Sequence, residues 1–359
     1  MREKDGSPYQ KPQINLSRST GGRMRLVCLC AGLAIIQSSL TDSFTSLVLV
    51  LLVVFSAVLT EFLILLKGRR QEELKDGSAI ASALILSLLL PNQIPPLYAV
   101  TGAVFAMAVV KHSFGGLGAN WVNPALGGWL FIRLSWPEPF EKALDNSLFS
   151  LLNTSLGDGL IAAHGSPLGI LKTSAPPGFL AAGSPVDNAL RDFLNNTIFS
   201  LTGTELPGAY IDLFISPLSG IIVDRGLGAF LLGTLLITAA QVNRVRISLV
   251  YLGVYVLLIR IFGALPYGGR LGEGDILFGL FSGGTMAAVF LLATDPVTGP
   301  KSNWGFLVVA LLAGVFTYLF RYPGGEPYGA FFAILLVNTL IPLIRDCESS
   351  GFYSKRKTP

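Results

Sequence analysis

The chain has 359 residues, of which 51% are hydrophobic and 13% charged, with a mean hydropathy of +0.60. A soluble globule carries about a quarter charged residues, so this composition excludes one and predicts an integral membrane protein. The formal net charge of +4 comes from basic residues at the ends of apolar runs with no basic-aromatic stripe between them, which excludes nucleic acid as a partner and leaves membrane lipid as the expected surroundings.

About ten apolar runs follow one another, each bounded by charge or by Gly/Pro clusters. They are continuous rather than alternating, which predicts an all-α polytopic bundle and excludes a barrel. Residues 1–25 hold Arg2, Lys4, Lys11, Arg18, Arg23 and Arg25 against two acids, so the positive-inside rule keeps this tail in the cytoplasm. Span one runs over Leu26 to Leu40. It contains Cys28 and Cys30, which with Cys347 make no metal-spaced pair and read as free thiols. Span two is Ser46 to Leu66, and Lys67, Arg69, Arg70 and Lys75 mark the return to the cytoplasm. Span three, Ser78 to Leu90, opens on Asp76 and Gly77 and closes on Pro91 and Asn92. Span four, Leu97 to Val110, ends at Lys111, which marks the inside again, with His112 as an interfacial histidine beside it. A glycine-rich stretch, FGGLGANWVNPALGG from Phe114 to Gly128, then leads into span five, Ala125 to Trp136; such a loop lets backbone approach backbone or ligand closely.

Pro137 to Ser216 is the long polar insertion, with eight acids against Lys142, Lys172 and Arg191. Five crossings place it outside the cytoplasm, and its Gly, Pro, Ser and Asn content predicts irregular structure packed on the bundle's outer face. The second half repeats the plan. Span six is Gly220 to Ala240, with Arg244 and Arg246 inside. Span seven is Ile247 to Gly263, and span eight is the stretch FSGGTMAAVFLLATDPVTGP, Phe281 to Pro300. Span nine is Phe306 to Phe320, RYPGGEPY makes an outer turn, and span ten is Gly329 to Ile344. Ten crossings leave both termini in the cytoplasm.

Span eight is short. From Ser282 to Ala293 there are 12 residues, about 18 Å of helix against a hydrocarbon layer of about 30 Å. Span three has the same layout, and the two occupy the same place in their sets of five. This spacing predicts two inverted five-helix repeats, over residues 26–136 and 217–344, flanking the extracytoplasmic loop 137–216, with cytoplasmic tails at 1–25 and 345–359. Helices 3 and 8 are then expected to run in opposite senses and to meet at a polar spot. Ionisable residues at membrane depth are expensive, so Asp76, Asp224, Asp295 and Glu326 at span ends are candidates for function. Asp76 and Asp295 stand out for an ion path because both abut short helices in equivalent halves, with Asn123 as a further polar site residue. No nucleophile-histidine-acid set, P-loop or Cys/His metal spacing appears, so hydrolase and nucleotide-driven readings lack support and no residue is assigned a catalytic role.

Four segments, DGSAIASALILSLLLP, FGGLGANWVNPALGG, SGGTMAAVFLLATDPVTGP and YPGGEPYGAFFAILLVNTLIPLI, resemble in order and spacing the RnfD/NqrB family, membrane subunits of the Rnf ferredoxin:NAD oxidoreductase and of the sodium-translocating NADH:quinone reductase. The likeness spans most of residues 67 to 345, and the short amino-terminal tail is closer to the Rnf member. It implies one component, not a stand-alone enzyme, of a bacterial inner-membrane complex with other membrane and peripheral subunits. That complex couples electron transfer between ferredoxin and NAD to movement of Na+ or H+. The resemblance also implies a flavin, FMN or riboflavin. The family holds FMN through a threonine of the outer loop; the matching segment here is Thr173, Ser174, Ala175, Pro176, Pro177. Pro176 stands at the acceptor position and has no hydroxyl, which leaves Thr173 and Ser174 as the substitutes, with Asn123, Gly115 and Gly116 as further cofactor-binding candidates. Two other readings use the same fold: a small-solute channel or transporter without redox chemistry, and a flavin-free scaffold that seats partner subunits.

Overall fold

Each long apolar run folds into a helix because a backbone in lipid must satisfy its own hydrogen bonds. The computed structural model describes residues 20–41, 44–68, 76–113, 115–116, 120, 122–145, 185–201, 214, 220–240, 242, 245–267, 269–272, 274–295, 298–300 and 302–356, and the regular elements among these residues are all helical. The first half supplies α1 (Thr20–Thr41), α2 (Thr45–Gly68), α3 (Ser78–Leu89), α4 (Pro96–Phe105) continued by a π-helical segment (Ala106–His112), and α5 (Pro124–Ser135). Beyond it come α6 (Glu138–Asp145) and α7 (Pro185–Thr197). The second half supplies α8 (Ile222–Arg225), α9 (Leu227–Ala239), α10 (Val245–Phe262), α11 (Ile276–Phe281), α12 (Thr285–Ala287) with a π-helical continuation (Ala288–Leu292), α13 (Asn303–Arg321) and α14 (Gly329–Arg356). Among the described residues five helices are long and apolar enough to cross a membrane: Gly21–Thr41, Thr45–Leu66, Val245–Phe262, Asn303–Arg321 and Gly329–Glu348. The chain is a multi-pass membrane protein.

Several sequence expectations need correction. Span six is not one helix. It breaks at Gly226, between α8 and α9, where the backbone passes α1 so closely that a Cβ would run into the Ala34 carbonyl oxygen. Span eight is preceded by a further short helix, α11, which ends at Phe281, and its own helix starts with α12 after two left-handed glycines, Gly283 and Gly284. The loop after span five contains helices α6 and α7, so it is not irregular throughout. In α6 an exposed Glu138–Lys142 pair, 2.6 Å apart one turn from each other, supports the helix, and the hydrogen bond from Lys142 holds the Glu138 carboxyl below its ordinary range. Beyond span ten the chain stays helical. The helix continues to Arg356, and two of its polar residues turn back to the start of α13: Arg345 donates to the Gly299 carbonyl (2.7 Å), and Glu348 accepts from the Ser302 backbone (3.0 Å) and hydroxyl. The apolar pattern ends at Ile344, but the hydrogen-bonding partners do not.

The two halves interlock. Helix α1 packs on α8 and α9, the Cys30 thiol meeting the Phe230 carbonyl at 3.7 Å, and all three cysteines are free thiols. Trp129 of α5, fully buried, stands edge-on to Phe331 of α14 with ring centroids 5.0 Å apart, and Arg133 reaches Glu326 at 3.5 Å. Helices in lipid gain little from burying apolar surface against one another, so close packing between small residues has to hold them. Gly128 of α5 illustrates this: a Cβ there would lie 2.8 Å from the Gly102 carbonyl of α4.

The same reasoning gives a stability prediction. Gly226→Ala forces a methyl into the Ala34 carbonyl and is expected to lower stability by about 1–3 kcal/mol, read as a lower thermal midpoint in detergent. Gly253→Ala in α10, with open space around the added carbon, is the matched control and is expected to leave the midpoint unchanged or raise it.

Candidate functional site

The site starts at the short helix α3. Its first turn needs a left-handed residue to bring the chain in, and Gly77 supplies it at φ 74°. The Asp76 carboxylate accepts from the Ser78 backbone N–H at 2.7 Å, capping the helix. The Ser78 hydroxyl accepts from the Lys111 ammonium at 2.6 Å, and Lys111 also donates to Glu61 of α2 at 2.5 Å. His112 Nε2 lies 3.2 Å from the same Glu61 oxygen. Lys111 and Glu61 are each 2% exposed. Two charges at this depth persist only as a bonded pair, since either alone would be desolvated without compensation.

The glycine-rich stretch adds the second wall. Asn123 caps α5, its side-chain oxygen accepting from the Ala125 N–H at 3.0 Å, and Pro124 takes the first helical position, where its missing N–H costs nothing. The amide nitrogen of Asn123 donates to the Asp295 carboxylate at 2.9 Å. Asn120 donates to the Val122 carbonyl at 3.1 Å, while its own side-chain oxygen is buried with no hydrogen-bond partner. These residues face one cavity of about 90 Å³, whose polar lining includes Ser78, Lys111, Asn120, Asn123 and Asp295. The first turn of α3 and the last turn of the segment Ala288–Leu292 therefore share a cavity. At their other ends, Leu90 accepts from the Ile222 N–H at 3.1 Å and the Gly284 N–H donates to Asp224 at 2.9 Å.

A second buried cation sits at that far end. Arg321, 1% exposed, donates to the Tyr255 hydroxyl (2.7 Å), the Thr285 hydroxyl (2.6 Å), the Ser282 hydroxyl (2.8 Å) and the Gly279 carbonyl. It anchors the start of α12, which like α3 is opened by a left-handed glycine, Gly284 at φ 68°.

A family model described as the NQR2, RnfD, RnfE family matches residues 8–353. The chain belongs to that family. The D subunit of the proton-translocating ferredoxin:NAD(+) oxidoreductase complex of Clostridium ljungdahlii is 30% identical over 333 residues, covering 93% of this chain and 91% of that protein. The D subunit of the ion-translocating oxidoreductase complex of Shewanella denitrificans is 33% identical over 349 residues, covering 93% of each. The D subunit of the Na(+)-translocating ferredoxin:NAD(+) oxidoreductase complex of Acetobacterium woodii is 30% identical over 357 residues, covering 99% and 98%. The membership expected from the four motifs is the one found.

Within this NQR2, RnfD, RnfE family member, the residues singled out from sequence divide. Asn123 and Asp295 are brought together at the cavity. Asp76 is at its edge as the cap of α3, not among the lining residues. Gly115 and Gly116, with φ of 107° and 93°, close the π-helical segment by donating to the carbonyls of His112 and Lys111. Thr173, Ser174 and Pro176 lie outside the described residues. Asp224 meets Gly284, and Glu326 meets Arg133. Two basic residues read from sequence as boundary or outer-turn positions, Lys111 and Arg321, are instead buried, because each long side chain turns back into the bundle toward acceptors waiting there. Glu61 escapes a reading of span ends although it is the only acid in the 24-residue α2, a signal that points to function by itself. Among the described residues no group of three His, Cys, Asp or Glu side chains is placed to hold a metal.

Proposed function

We propose that this chain is the D-type membrane component of an Rnf-type complex in the bacterial inner membrane, where it helps couple electron transfer between ferredoxin and NAD to movement of Na+ or H+. Relatives of nearly equal length carry a description of that kind in their names. The full architecture we propose is ten crossings in two inverted five-helix repeats, over residues 26–136 and 217–344, with both termini in the cytoplasm. Support comes from a correspondence between the halves. Lys111, at the end of the fourth helix, reaches the first-turn hydroxyl of α3, and Arg321, at the end of α13, reaches that of α12. Each also meets a side chain from the preceding long helix of its own half, Glu61 of α2 or Tyr255 of α10.

The observation that carries the ion-path reading is the cavity common to the two short helices, in which the Asn120 oxygen has no partner and the Asp295 carboxylate faces inward. A partly dehydrated cation needs oxygen ligands and a nearby negative charge, and this lining offers both in Asn120, Ser78 and Asp295, with Lys111 and Arg23 as the opposing positive charges. Asn123 holds Asp295 in place, Asn120 and Ser78 add neutral oxygens, and Asp76 fixes the helix end that carries Ser78. We further propose that an FMN is carried on the 137–216 loop at Thr173 or Ser174, or a riboflavin against Asn123 and the Gly115–Gly116 turn. Such a group supplies one- and two-electron carriage when bound. The unpartnered Asn120 oxygen fits an N–H donor as well as a cation.

Asp295→Asn in the complete complex, reconstituted in liposomes, tests the path. Redox-driven uptake of Na+ or H+ is expected to fall about tenfold or more, equivalent to about 1.4 kcal/mol, while electron transfer with an ionophore present continues. Unchanged uptake would overturn it. Mass spectrometry of the 137–216 loop reads the flavin directly. Colourless protein that fluxes a small solute would favour the transporter, and colourless, inert protein that co-purifies with partners the scaffold.

A further inference from the structure

We propose that Lys111 is a tethered cation: its ammonium occupies the oxygen position at the cavity wall that a translocated monovalent cation takes when the lysine swings away. This rests on reading the cavity as part of the ion path. The ammonium carries the same single charge as an alkali cation, and it is held as one would be, by the Glu61 carboxylate at 2.5 Å and the Ser78 hydroxyl at 2.6 Å, on the wall of the cavity.

Lys111 neutralises the buried Glu61, but the helix end it reaches does not call for a cation. The N-terminus of a helix repels positive charge, and Asp76 already caps α3, so the lysine does not serve the helix. Exchanging it for a free cation leaves the charge beside Glu61 unchanged, so the swap avoids the desolvation cost of stranding a buried carboxylate. A lysine suits this purpose because its ammonium is a compact point charge on a flexible stem. The contrast with Arg321 is instructive. That guanidinium is fixed by Tyr255, Gly279, Ser282 and Thr285 together, a geometry that holds and does not exchange. The other charged or titratable groups at the Lys111 site are His112, against Glu61, and Arg23 and Asp295, which line the cavity.

The test uses the complete purified complex with Lys111→Met, titrated with NaCl against choline chloride at constant ionic strength. Two quantities are read: the thermal midpoint, and the NaCl concentration that half-saturates redox-driven transport. With the tether gone, Na+ is expected to raise the midpoint saturably and to half-saturate transport at about one-tenth of the wild-type concentration. The double variant Glu61→Gln/Lys111→Met is expected to lose both responses. A Na+ response in Lys111→Met equal to that of wild type, or one that persists in the double variant, overturns the proposal. Should Lys111→Met not assemble, Lys111→Ala prepared in methylammonium chloride replaces it. Recovery with methylammonium but not with choline supports the tether, and recovery with neither overturns it. If Asp295→Asn abolishes uptake while Lys111→Met shows no change in Na+ response, the tether alone fails. If both variants behave as wild type, the cavity reading fails as well.

Discussion

Arg321→Met is expected to destabilise the protein by about 3–5 kcal/mol, the range found when one partner of a buried charge network is removed. The methionine keeps the length of the stem but leaves the hydroxyls of Tyr255, Ser282 and Thr285 and the Gly279 carbonyl without their common donor. Asp224, 6% exposed, also loses the positive charge whose field it feels across the start of α12. Arg321→Lys should recover only part of this, because one ammonium cannot reproduce a planar fork that serves four acceptors. Tyr255→Phe removes a single hydroxyl and is expected to cost about 1 kcal/mol. Thermal unfolding in detergent, with size-exclusion profiles to follow assembly, measures all three. An Arg321→Met protein within about 0.5 kcal/mol of wild type would show that the cluster does not hold α12 in place.

The second large effect is expected at Glu61. Glu61→Leu strands the Lys111 ammonium in an apolar surrounding and should cost about 3–5 kcal/mol. Adding Lys111→Met to it removes the stranded charge, and the double variant should regain most of that loss, because well-packed apolar side chains often match a buried ion pair for stability. The pair is close enough to couple, so the two single effects will not add. A double variant as unstable as the sum of the singles would mean that packing, not charge, sets the cost. Recovery of stability without recovery of ion transport is the outcome that separates folding from function here.

Much of the fold is legible in the sequence because apolar length is a coarse and robust signal. The shortness of span eight and the Asn-Pro start of span five can be read directly, and they lead to Asp295 and Asn123, which lie 2.9 Å apart despite a separation of 172 residues. What escapes is direction. Lys111 stands where the sign rule looks for a boundary charge and Arg321 in an outer turn, and nothing in the neighbouring residues tells which way a long side chain turns. Asp76 draws notice for its position beside a short helix, and that position equally suits the cap it forms. Glu61 lies inside a span, away from the ends on which positional reasoning depends. The break at Gly226 depends on Ala34 of α1, a contact no local pattern encodes. Helix α14 outruns its apolar run because Arg345 and Glu348 find partners near the start of another helix.

The π-helical segment Ala106–His112 holds an inserted residue relative to a regular α-helix. In an α-helix successive residues are offset by about 100°, so moving that surplus residue past Lys111 would rotate Lys111 and His112 off Glu61 together while the rest of the bundle stood still. Ala288–Leu292, just ahead of Asp295, is wound the same way. Both polar clusters at the cavity thus adjoin an underwound segment, where moving one inserted residue along the helix would change which side chains face the cavity while the two halves stay in place.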